Sequence, residues 1–243
     1  MKKSKTEFIN EHKESTSVDW DAVVKEYGIK PRDVFYHNTK YTTDDGCPVY
    51  CVSNGNAWDC PALCRGACNV PCYGLKGYYV MEDNVKINKE FQRLVLKLAP
   101  IEWLFDCIKY LATSKRMKKG NLLRFFRLNE VSDLTQELLD KICDLCDMLY
   151  NDVETRHIVV FTYTKMGILD FSRVAKMQNF VINTSQTVNP VYKGGNVYIA
   201  VEKEYFDQIV ETDVVKKCNC DIHCTECGYC YEDGGYIIFC LIH

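Results

Sequence analysis

No stretch of this chain approaches the ~20 consecutive apolar residues that a bilayer-spanning helix needs. Residues 1–20 carry charges throughout, where a secretory leader would hold an apolar core. The expectation is a protein with neither a leader nor a membrane span. A formal net charge of −3 gives no support to a generally basic nucleic-acid binder, although totals hide patches. A Walker sequence, a Gly-x-Gly-x-x-Gly loop and a Ser/His/Asp arrangement are all missing. Nothing therefore points to a standard nucleotide loop or hydrolase triad, and no repeat of fixed period runs through the chain.

What the chain does hold in excess is cysteine, 15 in 243 residues. Without a leader, the expected setting is a reducing cytoplasm, where cysteine clusters more often bind metal than pair as disulfides. The odd count also argues against a fully paired framework. The length suits one substantial core, or one core with a small appendage.

Along the chain, residues 1–32 read as a polar lead-in in which Trp20, Val23, Val24 and Tyr27 have helical spacing. Val34–His37 and the Pro48–Val52 stretch look extended. Asn88–Leu98 and Ile101–Thr113 read as amphipathic helices on either side of Pro100, a residue tolerated at a helix start. From there strands and helices alternate. Leu122–Leu128, His157–Thr162, Phe180–Asn183 and Val197–Val201 read as strands; Thr135–Asn151, Leu169–Met177 and Glu202–Ile209 read as helices. The expected fold class is α/β, with a mainly parallel sheet or partial (β/α) barrel and cysteine-rich metal-binding loops. Its expected parts are a lead-in over 1–32, an α/β domain over 33–217, and a C-terminal cysteine-rich loop with a closing strand over 218–243.

Two runs carry the metal expectation. Cys60, Cys64, Cys68 and Cys72 recur every four residues; Cys224, Cys227 and Cys230 recur every three, with Cys218 and Cys220 just upstream. Thiolates at such short spacing can converge on zinc or on an iron–sulfur cluster. A straight helix would spread the first run over about 18 Å, so Gly66 and Pro71 would have to bend it. Consecutive triplets lean toward iron–sulfur, of the 4Fe-4S type, with zinc as the alternative. Cys107, Cys143 and Cys146 lie on apolar helix faces and read as core thiols.

In parallel α/β folds, ligands collect beyond the carboxyl ends of the strands. That rule selects Arg127, Glu130 and Asp133 as candidate catalytic residues, with Asp133 equally able to cap the following helix. It also selects Tyr163, Thr164 and Lys165, and Asn183 to Gln186. An arginine in an apolar strand needs a carboxylate or a ligand anion. Lys115, Arg116, Lys118 and Lys119 read first as a helix end and solvated face, and otherwise as a contact for nucleic acid.

Cys60-Pro61, the run from Cys68 through Cys72-Tyr-Gly-Leu-Lys-Gly77, and Leu122–Leu134 with Arg127, Ser132 and Asp133 form a recognisable set. Cys224, Cys227-Gly228 and Cys230-Tyr231 ahead of an Ile-x-Phe strand and His243 complete it. The chain resembles the gene-product-88-like proteins of phages and mobile elements. Ser132 stands where that resemblance leads one to expect glycine. The resemblance implies an α/β domain reminiscent of radical S-adenosylmethionine barrels, with cysteine-ligated metal. The resulting expectation is an iron–sulfur protein, a redox or radical-type enzyme acting on a small-molecule or macromolecular substrate, in which S-adenosylmethionine could be bound. The alternative is a zinc-stabilised module for nucleic acid or protein.

Overall fold

The computed structural model describes residues 2–37, 49–62, 82–114, 123–128, 132–185, 189–218 and 228–241. Three of the helices begin where a side chain satisfies one of the first amide groups. Helix α1 (Lys5–His12) has a capping box: Ser4 Oγ accepts from Glu7 N at 3.2 Å, and Ser4 N donates to the Glu7 carboxylate at 2.7 Å. Helix α2 (Trp20–Tyr27) is capped by Asp19 and stopped by Gly28 in the left-handed region, φ 64°. A short turn, α3 (Pro31–Val34), leads to the sheet.

Helices α4 (Asp83–Leu98) and α5 (Ile101–Thr113) meet at Pro100, which lacks an amide hydrogen and so ends one without hindering the other. Helix α6 (Gln136–Asn151) is capped by the Thr135 hydroxyl, and α7 (Lys203–Gln208) is a single short turn and a half. The buried faces of α4, α5 and α6 contribute Phe91, Leu94, Leu104, Ile108, Leu139 and Ile142, all at most 2% exposed. At roughly 1.5–3 kcal/mol for each large side chain removed from water, that layer is the main source of stability.

Eight strands form one sheet among the described residues: β1 (Tyr36–His37), β2 (Tyr50–Cys51), β3 (Phe125–Arg127), β4 (Val159–Thr164), β5 (Phe180–Ser185), β6 (Val197–Val201), β7 (Val215–Cys218) and β8 (Ile237–Leu241). Their order is β1-β2-β3-β4-β5-β6-β8-β7, parallel except for the β1–β2 pair. From β2 to β6 the order advances without reversal. Right-handed crossovers then fall on one face of the sheet, and the large helical core lies there.

The step from β7 back to β8 reverses direction, and the same handedness puts the described part of that connection on the opposite face. Its described end, Tyr229–Tyr231, packs on that inner face against Phe161, Cys51 and Val181. The Tyr231 ring stacks on Phe125 at 4.1 Å. Asn196 holds the turn in place. Its side-chain NH2 donates to the carbonyls of Tyr229 (3.0 Å) and Glu232 (2.7 Å), and its oxygen accepts from Tyr236 N (3.0 Å).

Several sequence expectations are corrected here. Val34 belongs to a helical turn, and the paired strand is confined to Tyr36–His37. Leu169–Met177 is not a helix but a loop containing one 3-10 turn, Val174–Lys176. The cysteine-rich metal-binding loops expected as part of the fold class are not met: among the described residues, no three His, Cys, Asp or Glu side chains are grouped to hold an ion. Nor is any helix among these residues long and apolar enough to cross a membrane.

Candidate functional site

The inner face is set by strand alternation, which sends every second side chain to the same side. Cys51, Phe125, Phe161 and Val181 point there from β2 to β5, and Tyr163 and Tyr198 border the same cluster. Cys51 and Arg127 are register partners at the carboxyl ends of adjacent parallel strands. Two residues beyond Cys51, on the same alternation, lies Ser53, which is fully buried. The carboxyl edge of β2 and β3 is therefore a polar rim above an aromatic floor.

Helix α4 supplies that rim with two polar side chains from its buried surface. Lys89 Nζ donates to Ser53 Oγ at 3.0 Å, and Lys89 is only 4% exposed. Gln92, one turn on, accepts from Ser53 N at 3.1 Å and donates to the carbonyl of Val34 at 2.9 Å. Gln92 thus fixes the β2 end against α4 and sets the height at which Lys89 reaches the edge. Burial, and after it the charge of Arg127, push the Lys89 ammonium down to about 8. Burial pushes the Cys51 thiol up to about 11, outweighing the opposite pull of Arg127 and Lys89.

Arg127 lays its guanidinium over the Tyr163 ring at 5.2 Å, a cation–π geometry. Tyr163 is edge-on to Tyr198 at 5.0 Å and lies beside Cys230. Burial first, then the neighbouring Cys230 and Tyr198, push its phenol far up, so it stays protonated as a donor. Asn183 donates to the Cys230 carbonyl at 3.1 Å, joining β5 to the crossing turn.

Asp133 plays a different part from the one its sequence position suggests. It neither caps α6, which Thr135 does, nor bonds to Arg127. Its carboxylate accepts from Thr164 Oγ1 at 2.6 Å, Leu134 N at 2.7 Å and Lys165 N at 2.9 Å, while its carbonyl accepts from Asn54 Nδ2 at 2.9 Å. One buried residue therefore ties the ends of β2, β3 and β4 together. Ser132 just before it has φ 72°, a left-handed conformation in which glycine is the unstrained residue.

Of the candidate residues, Arg127 and Asp133 lie at this edge, and Glu130 is outside the described residues. Cys60 follows the 3-10 turn Ala57–Asp59 after β2, partly exposed. Cys218 ends β7 at the far edge of the sheet, opposite Cys240. Cys230 sits under β4 and β5. Cys64, Cys68, Cys72, Cys220, Cys224 and Cys227 lie outside the described residues, as do Lys115, Arg116, Lys118 and Lys119. Strand order thus separates Cys218 from Cys230.

With no group of three potential ligands among the described residues, the arrangement does not fit an iron–sulfur cluster or zinc. Both metal readings of the function and of the cofactor are withdrawn, together with the S-adenosylmethionine site that depended on them. Cys107, Cys143 and Cys146 are buried core thiols, with burial pushing Cys107 to about 12 and Cys143 to about 11.

Lys89, Ser53 and Gln92 were not found from sequence. A signal was there: Val85, Lys89, Gln92 and Leu96 share one stripe of α4 at helical spacing. Two polar residues in a stripe continuing into the buried Leu96 mark a helix face that meets something other than core.

Fold and rim together define an α/β protein, wound in one direction from β2 to β6, with Lys89 and Arg127 at the carboxyl edge of its sheet. The family described as Gene product 88 matches residues 32–231, and the chain belongs to that family. The match runs from α3 to the Tyr231 turn; α1, α2 and the closing strand β8 lie outside it. Comparison with curated proteins returned no match, and comparison with solved structures returned none. Nothing in these findings supports a radical S-adenosylmethionine barrel.

Proposed function

We propose that this chain binds a small anionic ligand, a carboxylate or phosphate, at the carboxyl edge of β2 and β3, with Lys89 and Arg127 as its two cationic contacts. The observation that carries this reading is a buried lysine of α4 reaching Ser53 just past the end of β2, with Arg127 ending the neighbouring strand β3 and its charge lowering the Lys89 pKa. An anion between them relieves that repulsion and gains charge-assisted hydrogen bonds. Asp133 serves as a positioning residue, holding the three strand ends in register, and Arg127 is the contact its strand position suggested.

Titration calorimetry with inorganic phosphate and with a panel of short carboxylates tests the proposal. Lys89→Met or Arg127→Gln should weaken binding by about 10- to 100-fold, the scale of one charge-assisted hydrogen bond in a buried site. Unchanged affinity in both variants would refute the reading. A nucleic-acid partner through Lys115, Arg116, Lys118 and Lys119 draws no support from the described residues.

A further inference from the structure

We propose that Glu211 and Thr212 plug the β7 edge of the sheet, and that removing the plug lets β7 pair with the β7 edge of a second copy of this chain. The inference is independent of the anion-binding reading.

The strand order ends at β7, with β8 on one side and no further strand among the described residues on the other. Such an edge presents a row of backbone donors and acceptors, a template for an incoming strand. Ile237 N donates to the carbonyl of Val214 at 2.9 Å, and Val215 is the register partner of Ile237. By alternation along the ladder, Lys216 and Cys218 turn their amides toward β8, while Val215 and Lys217 turn theirs outward.

The outward groups are already taken. Lys217 N donates to Glu211 Oε1 at 2.9 Å, and Val215 N donates to Thr212 Oγ1 at 3.0 Å. The Val215 carbonyl accepts from Thr212 N at 2.9 Å. The segment between α7 and β7 therefore doubles back and fills positions that a new strand would need. Both outward amides are held by side chains, so two substitutions free them.

Lysine is the usual guard of a sheet edge, since a charge held beyond it repels an incoming strand. Here the lysines of β7 are turned back. Lys216 Nζ lies over the rings of Tyr229 and Tyr236, at 5.4 and 5.5 Å. Lys217 Nζ lies over the Phe206 ring at 5.2 Å and donates to the Asp207 carbonyl at 3.4 Å. Guarding the edge is left to Glu211 and Thr212. The opposite edge strand, β1, is only two residues long and offers little to pair with. Beside the plug, Val210 and Val214 are 77% and 49% exposed. A second copy fits this surface because it brings the same donors, acceptors and valines, and two identical edges pair with closed two-fold symmetry.

The experiment compares the full chain with its Glu211→Ala/Thr212→Val variant under reducing conditions. Amide hydrogen exchange is followed by NMR on dilute protein, and sedimentation over a concentration series. Exchange at Val215 and Lys217 should speed up by about 5- to 10-fold in the variant, the scale of one lost hydrogen bond, with Lys216 unchanged. At high concentration the variant should sediment as a dimer and the wild type as a monomer. Glu211→Gln keeps an acceptor and should behave as wild type. Adding Lys217→Pro to the double variant removes an outward N–H, where an edge strand tolerates proline, and should restore the monomer. Unchanged exchange at both amides would overturn the plug. Faster exchange in a variant that stays monomeric, or a dimer that survives Lys217→Pro, would overturn pairing through β7. A dimer of the wild type or of Glu211→Gln would overturn the guarding role of the Glu211 acceptor.

Discussion

Replacing Lys89 by methionine should make the ligand-free protein more stable at pH 7. Methionine has nearly the same length and no charge. Keeping Lys89 charged in the fold, with its pKa lowered from 10.5 to about 8, costs about 3 kcal/mol at ~1.36 kcal/mol per pKa unit. The substitution forfeits the Ser53 hydrogen bond, ~1 kcal/mol. The net gain is on the order of 2 kcal/mol. Between pH 8 and 10.5 the unfolded chain holds a proton that the folded chain has released, so the wild-type protein gains stability from this residue as pH rises through that window. The advantage of the variant must shrink accordingly and reverse near pH 10, where only the lost hydrogen bond is left. Lys141 titrates alike in both proteins and cancels, and Cys51 remains a thiol until about 11. Urea unfolding followed by tryptophan fluorescence, at intervals from pH 7 to pH 10, measures the difference directly. A variant less stable than wild type at pH 7, or a difference independent of pH, would refute the reasoning. The confirming result would also show that this chain keeps a destabilising charge at its proposed site, a trade of stability for function.

Two further substitutions test how the rim is held. Asp133→Ala leaves the Thr164 hydroxyl and the amides of Leu134 and Lys165 without their acceptor; a loss of roughly 3–5 kcal/mol is expected in the same urea assay, and a loss below ~1 kcal/mol would show that the strand ends do not depend on it. Ser132→Gly relieves a left-handed serine whose hydroxyl oxygen is buried without a partner among the described residues; it should stabilise by about 0.5–1 kcal/mol, and destabilisation would show that the serine makes a contact of value.

The elements built from local chemistry could be read directly. Ile101–Thr113 is helical over the expected residues, because its apolar spacing and Pro100 act within a few residues of one another. Val197–Val201 is a strand for the same kind of reason, a β-branched run between turns. Boundaries were poorer where a polar residue continues a strand by pairing alone, as Thr184 and Ser185 do in β5. Arg127 and Asp133 could be placed at the carboxyl edge from sequence because a strand end is a local feature. Lys89 could not, since it comes from a helix and reaches an edge whose position depends on the whole sheet.

Cysteine spacing misled for the same physical reason. Cys218 and Cys230 are near in sequence, yet the first faces Cys240 in the ladder at the sheet edge and the second lies beneath β4 and β5. Short spacing makes convergence possible; for Cys218 and Cys230 the reversal of strand order between β7 and β8 sets them apart. What the sequence alone determined was most of the helices and strands between Ile101 and Val201, and which helical thiols are core. Tertiary structure decided which side chains meet. It brought Lys89 of α4 and Arg127 of β3, 38 positions apart by their numbers, to the carboxyl edge of the sheet, and it made Asp133 a brace of three strand ends. Meeting depends on strand order and crossover handedness, which no single stretch of the chain encodes.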